Sequence, residues 1–294
     1  MDPTDLHSRL LRWYADHARD LPWRRPGTTP WGVLVSEIML QQTPVPRVAP
    51  VWEAWLQRWP EPADLVEAGA GEAVRAWGRL GYPRRALRLH AAAATIVEQH
   101  DGVVPDRYED LLALPGIGDY TAAAVASFAY GHRHVVLDTN VRRVLTRLVA
   151  GEELPPASLN KPERERAAAL LPDDEADAAG WAIATMELGA VVCTSASPSC
   201  SVCPVADVCA WRLAGSPPDA GPPRRGQTYA GTDRQCRGRL LDVLRDADTV
   251  VHRASLTAVW SGGLRDEQRE RCLASLLADG LVTQVGPDTF ALPA

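Results

Sequence analysis

Leu114-Pro-Gly-Ile-Gly118 is the stretch that most restricts how this chain can fold. The apolar run from Leu111 to Leu114 reads as a helix end stopped by Pro115. Gly116 and Gly118 follow, the residue type that reaches left-handed backbone angles at least cost. A second helix is predicted from Asp119 through Tyr130, so two helices meet in a tight hairpin. The second helix opens with unpaired backbone N–H groups and the positive end of its dipole. That makes an anion site, and the two glycines let a phosphate come close. A purely structural hairpin satisfies the same pattern, so the rest of the chain has to decide between the readings.

The cysteines supply the next constraint. Cys193, Cys200, Cys203 and Cys209 follow the pattern C-x6-C-x2-C-x5-C. Four thiols packed into one short segment, in a chain with no apparent signal peptide, point to a metal centre rather than to disulfides. Zinc sites usually pair two C-x2-C knuckles. Here there is one, and the uneven spacing suits a four-iron cluster better. Cys236 and Cys272 fall outside this set and read as packed core residues.

Nearly everything before residue 210 reads as helix, with no convincing strand and no repeat. Helices are predicted near 4–19, 31–42, 47–59, 84–100, 139–149, 160–171 and 175–189, with two short ones between Pro62 and Trp77. Within 31–42 one charge, Glu37, sits among Val33, Leu34, Val35, Ile38, Met39 and Leu40. A carboxyl on so apolar a helix has its neutral form favoured, the profile of a general acid. A Glu on the helix's solvent face is the alternative. Asp138, taken alone, is a helix N-cap. Gly78 to Pro83 forms a loop presenting Leu80 and Tyr82.

Net charge is −6, a weak argument against a nucleic-acid partner, but the charges are unevenly placed. Arg75, Arg79, Arg84, Arg85 and Arg88 crowd one region, and Arg133, Arg142, Arg143 and Arg147 flank the hairpin. No run is long enough to span a membrane. A cytoplasmic location and a monomer are expected.

Several segments together resemble the helix-hairpin-helix DNA glycosylases that carry an iron–sulfur cluster, the endonuclease III-like superfamily, and within it the MutY-type adenine glycosylases. They are Leu21-Pro-Trp-Arg24, Ser36 to Thr43, Gly78 to Tyr82, Pro115 to Thr121, Asp138-Thr-Asn140, Met186-Glu-Leu-Gly189 and the four cysteines. The resemblance implies an all-α fold of two helical subdomains over residues 1–212, with one [4Fe-4S] cluster held by Cys193, Cys200, Cys203 and Cys209. It implies removal of adenine mispaired with 8-oxoguanine or guanine in double-stranded DNA. By the same resemblance Glu37 protonates the leaving base and Asp138 stabilises the sugar cation. Tyr120 and Asn140 line the sugar pocket, while Trp23 and Arg24 wall the base pocket. Gln41, Gln42, Thr43, Leu80, Tyr82, Gly116, Gly118 and Tyr120 contact DNA, Gln42 and Tyr82 by insertion at the flipped nucleotide.

Three departures qualify the resemblance. Ala182 and Ile183 stand where the family has Asn followed by Gln or Glu. Pro83 replaces a commoner Tyr after Gly81-Tyr82. Residues 213–233 read as a Pro/Gly-rich linker, and 234–294 are short for the family's lesion-reading domain and lack a Phe-Ser-His turn. Helices near 236–247, 253–260 and 265–279 and a hairpin around Gly286-Pro-Asp288 predict a winged-helix-like module, with Trp260 and Phe290 its notable aromatics. A mismatched-thymine glycosylase and a non-catalytic DNA-binding module are the competing functions. A lyase is disfavoured because Tyr120 stands where that branch needs a lysine, and Lys161 is the chain's only lysine.

Overall fold

A computed structural model describes residues 2–219, 221, 229–258 and 266–294. In chain order its helices are α1 (Pro3–His17), α2 (Pro30–Leu40), α3 (Val45–Arg58), α4 (Pro62–Ala68), α5 (Ala70–Trp77), α6 (Arg84–Gln99), α7 (Tyr108–Ala113), α8 (Asp119–Tyr130), α9 (Thr139–Leu145), α10 (Lys161–Ala169), α11 (Glu175–Val191), α12 (Ala210–Leu213), α13 (Asp233–Arg245), α14 (Arg253–Ala258) and α15 (Asp266–Ala278). The strands are β1 (Val251–His252), β2 (Thr283–Gly286) and β3 (Thr289–Ala291). The chain forms two compact units. The first comprises Met1–Val33, Asp106–Leu112 and Gly118–Pro223, the second Leu34–Pro105, Ala113–Ile117 and Arg224–Ala294.

The first unit is held by an apolar core between α1, α9 and α11. Leu6, Leu10 and Trp13 of α1 pack with Val141, Val144 and Leu145 of α9 and with Ala178, Trp181, Ala184 and Leu188 of α11. The apolar spacing along α1 is that of one helix face, which is why this helix could be read from sequence. Two glycines bring α11 close to its neighbours. A Cβ at Gly180 would lie 2.9 Å from Leu11 Cδ2, and one at Gly189 would lie 2.7 Å from Asn140 Cβ. After α9 the chain widens into a π-type turn at Thr146–Ala150 before reaching Gly151. Such turns break the regular ladder and tend to sit beside functional sites.

The second unit contains α3 to α6 and the C-terminal module. Trp55 contacts Trp59 and Trp77 edge-on, with ring centroids 4.7 and 5.9 Å apart, and all three are buried. The module is α13, α14 and α15 with an antiparallel sheet in the order β1-β3-β2. The winged-helix-like reading gains a strand it did not include. Val251 and His252 pair with Phe290 and Thr289, but two residues are too short to show an alternating pattern. Phe290 is fully buried, whereas Trp260 lies outside the described residues. Cys236 and Cys272 are buried, as expected of packed residues.

The module is not free-standing. Arg75 Nη1 donates to the carbonyls of Arg245 and Ala247, the latter at 3.0 Å, and Arg245 Nε donates to the Val74 carbonyl at 3.0 Å. Compactness groups residues 224–294 with 34–105.

Candidate active site

In the first unit, Asp138 caps α9. Its Oδ1 accepts from the backbone N–H of Val141 at 2.7 Å, and its Oδ2 accepts from Asn140 Nδ2 at 2.7 Å. The N-cap reading and the pairing with Asn140 thus coincide in one turn. Burial pushes the Asp138 carboxyl up, against the opposing pull of the hydrogen bonds from Val141 and Asn140 and of the Arg143 charge. The raised value lies on the folded side, so ionising Asp138 costs stability as pH rises from the ordinary aspartate range towards that value.

Arg143 links this turn to the cysteine loop. Its Nη2 donates to Asn140 Oδ1 at 2.9 Å and to the Gly189 carbonyl at 2.5 Å, and its Nε donates to the Cys193 carbonyl at 2.7 Å. One helical turn on, Arg147 Nη1 contacts Cys193 Sγ at 3.4 Å and donates to the Thr194 carbonyl at 2.7 Å. Its guanidinium lies over the Trp211 ring, 4.7 Å from the centroid. Cys193, Cys203 and Cys209 pack against the core of α1, α9 and α11. Burial pushes the Cys203 thiol up to about 11. Among the described residues no group of three or more His, Cys, Asp or Glu closes around a single metal ion. Four thiols in one loop are donors of the kind an iron–sulfur cluster takes, and Arg143 and Arg147 border that loop.

Glu187 anchors the third feature of this unit. It is 0% exposed on α11 and takes Arg19 through Nε at 2.6 Å and Nη2 at 2.8 Å, and Arg24 through Nη1 at 2.8 Å. Burial pushes its carboxyl upward, but the two arginines overcome this and set it at about 2. Arg24 is therefore held by an internal ion pair, next to the buried Trp23 in the 3-10 turn Pro22–Arg24. Tyr120 on α8 packs, with Phe128 and Met186, against a small core of Ala123, Ala124, Val136 and Ala182. The position where the family carries Asn is thus an apolar wall beside Tyr120.

In the second unit Glu37 is 6% exposed on α2, so the solvent-face alternative fails. The C-terminus of this helix is capped by Arg85. Its Nη1 donates to the carbonyls of Ile38, Met39 and Gln41 at 2.8, 2.9 and 2.6 Å. Its Nη2 donates to Thr43 Oγ1 at 2.9 Å and to the Gly81 carbonyl at 3.0 Å. Orphan carbonyls at a helix end are satisfied here by one side chain. Burial draws the Arg85 pKa down to about 10. The same guanidinium thus ties the Gln41–Thr43 turn to the Gly78–Tyr82 loop. Gln42 and Tyr82 both take left-handed backbone angles, φ 56° and 48°, an unusual choice for residues with side chains. Tyr82 is 40% exposed, but Leu80 is only 3% exposed. The expectation that this loop presents Leu80 is corrected. Its side chain turns into the core, and its carbonyl accepts from Thr43 Oγ1 at 3.1 Å.

The hairpin turn is formed as expected, with one difference. Gly116 is left-handed at φ 76°, and a Cβ there would meet Arg88 Cβ at 2.7 Å. Gly118 is extended, the N-cap of α8, and a Cβ there would meet nothing within 4 Å. Its lack of a side chain answers no backbone strain and leaves open space at the helix start.

Sequence reasoning named Glu187, Arg143 and Arg147 without a role, counted Arg85 in an arginine crowd, and passed over Arg19. The available signal was the one used for Glu37. Glu187 lies between Met186 and Leu188 on a mostly apolar helix, where a charge must find partners or lose its charge.

Residues 35–168 match the family described as HhH-GPD superfamily base excision DNA repair protein. The fold resembles that of a thermostable thymine-DNA glycosylase, with a TM-score of 0.64 and 26% identity, covering 72% of this chain and 97% of that one. A helical hairpin of this kind on this fold defines a base-excision DNA glycosylase. The chain is 54% identical over 287 residues to the adenine DNA glycosylase of Mycobacterium tuberculosis, covering 97% of this chain and 93% of that one. It is 57% identical over 286 residues to that of Mycolicibacterium smegmatis, covering 96% and 94%. The chain belongs to the adenine DNA glycosylase family. Among the described residues no helix is long and apolar enough to cross a membrane.

Proposed function

We infer that this chain removes adenine mispaired with 8-oxoguanine or guanine in double-stranded DNA, by hydrolysis of the N-glycosidic bond and without cutting the strand. The observation that carries the reading is the likeness to curated adenine DNA glycosylases over almost the whole chain. Glu37, buried on an apolar helix, donates a proton to the base as the bond from the sugar to the base nitrogen breaks. Asp138 carries the negative charge that stabilises the sugar cation, and water then supplies the hydroxyl to that carbon. Burial opposes the Asp138 charge, and the developing sugar cation favours it. Asn140 holds its Oδ2 in place. Tyr120 gives no amine for a Schiff base, so strand scission needs added alkali. Gln42 and Tyr82 are the exposed tips that enter the duplex, with Leu80 and Thr43 as their anchor, and the hairpin at Gly116 and Gly118 takes a phosphate.

Cys193, Cys200, Cys203 and Cys209 hold one [4Fe-4S] cluster in this reading, which cross-links the loop and performs no step of the hydrolysis.

A panel of duplexes carrying adenine opposite 8-oxoguanine, adenine opposite guanine and thymine opposite guanine tests the reading in single-turnover base release. Release from the first two is expected. Glu37→Gln should slow release at least 10²- to 10⁴-fold, the usual worth of proton donation (about two to four decades), and leave duplex binding in place. Release of thymine alone, or near-native release by Glu37→Gln, overturns it.

A further inference from the structure

Gln42 and Tyr82 share a left-handed backbone, at φ 56° and 48°. Residues with large side chains hold such angles only where the surrounding structure over-determines them. The neighbours of both tips lead to one residue, Arg85. The Gln41 carbonyl accepts from Arg85 Nη1 at 2.6 Å and Thr43 Oγ1 accepts from Nη2 at 2.9 Å, so Gln42 is bracketed on both sides. The Gly81 carbonyl accepts from the same Nη2 at 3.0 Å, and the Tyr82 carbonyl accepts from the Arg85 backbone N–H at 3.0 Å, so Tyr82 is bracketed too. Thr43 Oγ1 passes the link on by donating to the Leu80 carbonyl at 3.1 Å. Arg234 also meets Tyr82, but over its ring, 4.5 Å from the centroid.

Nη1 makes a third connection. It donates to the carbonyls of Ile38 and Met39 at 2.8 and 2.9 Å, the two residues that follow Glu37 on α2. These acceptors are all neutral carbonyls or a hydroxyl, and Arg85 is buried. Taking a cation out of water without a carboxylate beside it is costly, and burial draws the Arg85 pKa down to about 10. Compensating the dipole at the end of α2 needs only a positive charge. A planar fork does more, because its two nitrogens hold separate segments at a fixed spacing. We propose that Arg85 is a positioning residue. It locks the Gln42 turn, the Tyr82 loop and the end of α2 that carries Glu37 into one rigid piece, so that insertion into the duplex and proton donation to the base are set together. The proposal rests on the reading of Glu37 as the acid and of Gln42 and Tyr82 as the inserting residues.

Two variants separate the links. Arg85→Lys keeps a charge at the helix end and removes the fork. Thr43→Val keeps the volume and removes the relay to the Leu80 carbonyl, while the Arg85 bonds to α2 remain. Each full-length protein, with its active fraction titrated, meets a duplex carrying 2-aminopurine beside an adenine opposite 8-oxoguanine, in single turnover at saturating protein. The fluorescence reads opening of the base stack, and quenched samples read base release. Arg85→Lys should slow both, release by about 10²-fold, the usual cost of misplacing a reacting group by about 1 Å. Thr43→Val should slow opening by about tenfold, as loss of one hydrogen bond to a buried carbonyl does, and release by no more than that. Backbone amide relaxation in the free proteins should show Gln42 and Tyr82 rigid in the native chain and mobile in both variants. Native opening and release by Arg85→Lys would mean that the charge suffices, and the proposal is overturned. Rigid tips in a slow Arg85→Lys variant overturn it as well. Should Arg85→Lys not fold, Thr43→Val decides: slow opening with mobile tips supports the proposal, and native opening with rigid tips overturns it. A native protein that releases no adenine, with tips that loosen in the variants, overturns the proposed function instead and leaves the positioning role of Arg85 standing.

Discussion

Glu187 does its work as a single residue. It is fully buried, yet its carboxyl is held at about 2 by Arg19 and Arg24. Because the folded value lies below the ordinary glutamate range, the stabilisation is present above about pH 4.5 and is lost as pH falls towards 2. A shift of this size corresponds to about 3 kcal/mol. Glu187→Gln should lower stability at neutral pH by about that order and flatten the acid dependence between pH 4.5 and 2. Urea unfolding of the two proteins at pH 7, 5 and 3 measures this, and equal acid dependence would contradict it. Arg24 also loses its anchor in this variant, so base release should fall although no substituted atom touches the proposed chemistry.

At the scale of elements, α9 is the piece that serves two sites at once. Its first turn holds Asn140 with Asp138 as its cap, its inner face sends Arg143 to the cysteine loop, and the turn that follows sends Arg147 there. The π-type turn at Thr146–Ala150 alters the helical spacing just where Arg147 must reach Cys193 and the carbonyls of Thr194 and Ser195. The protein purified without oxygen should contain about four irons per chain, as cluster ligation by four thiolates implies. Cys200→Ser should lose iron and loosen residues 193–212, read as faster amide exchange there. Stoichiometric zinc with no iron would overturn the cluster. A cluster lost while exchange in 193–212 stays native would show that the arginines alone hold the loop.

For the whole molecule, the C-terminal module decides how the second unit is built. Its tail lies against α5, where a Cβ on Gly71 would come within 2.2 Å of the Pro293 carbonyl oxygen. Gly71→Ala gains up to about 1 kcal/mol of helix propensity, but a clash with backbone costs about 1–3 kcal/mol. The balance should be a loss of stability together with faster carboxypeptidase release of the last residues. A more stable variant with a protected tail would show that the tail is not seated there. The module's docking is also what brings α13 opposite the Gly78–Tyr82 loop.

Much of this was legible in the residues. Helical spacing, prolines and the Asp138 cap marked most elements, because each depends on interactions within a few residues. Four cysteines in one short loop and a lone carboxyl in α2 stand out as candidates for the same local reason. Tertiary structure alone decided the rest. It turned Leu80 inward and Tyr82 outward within one loop, since burial depends on which segment lies across from it. It paired Glu187 with Arg19 and Arg24, more than 160 positions away. It made Arg85 the cap of a helix that ends some 45 residues earlier in the chain. Such partners are chosen by packing, and a charge in a sequence carries no record of which distant carbonyl or carboxylate will meet it.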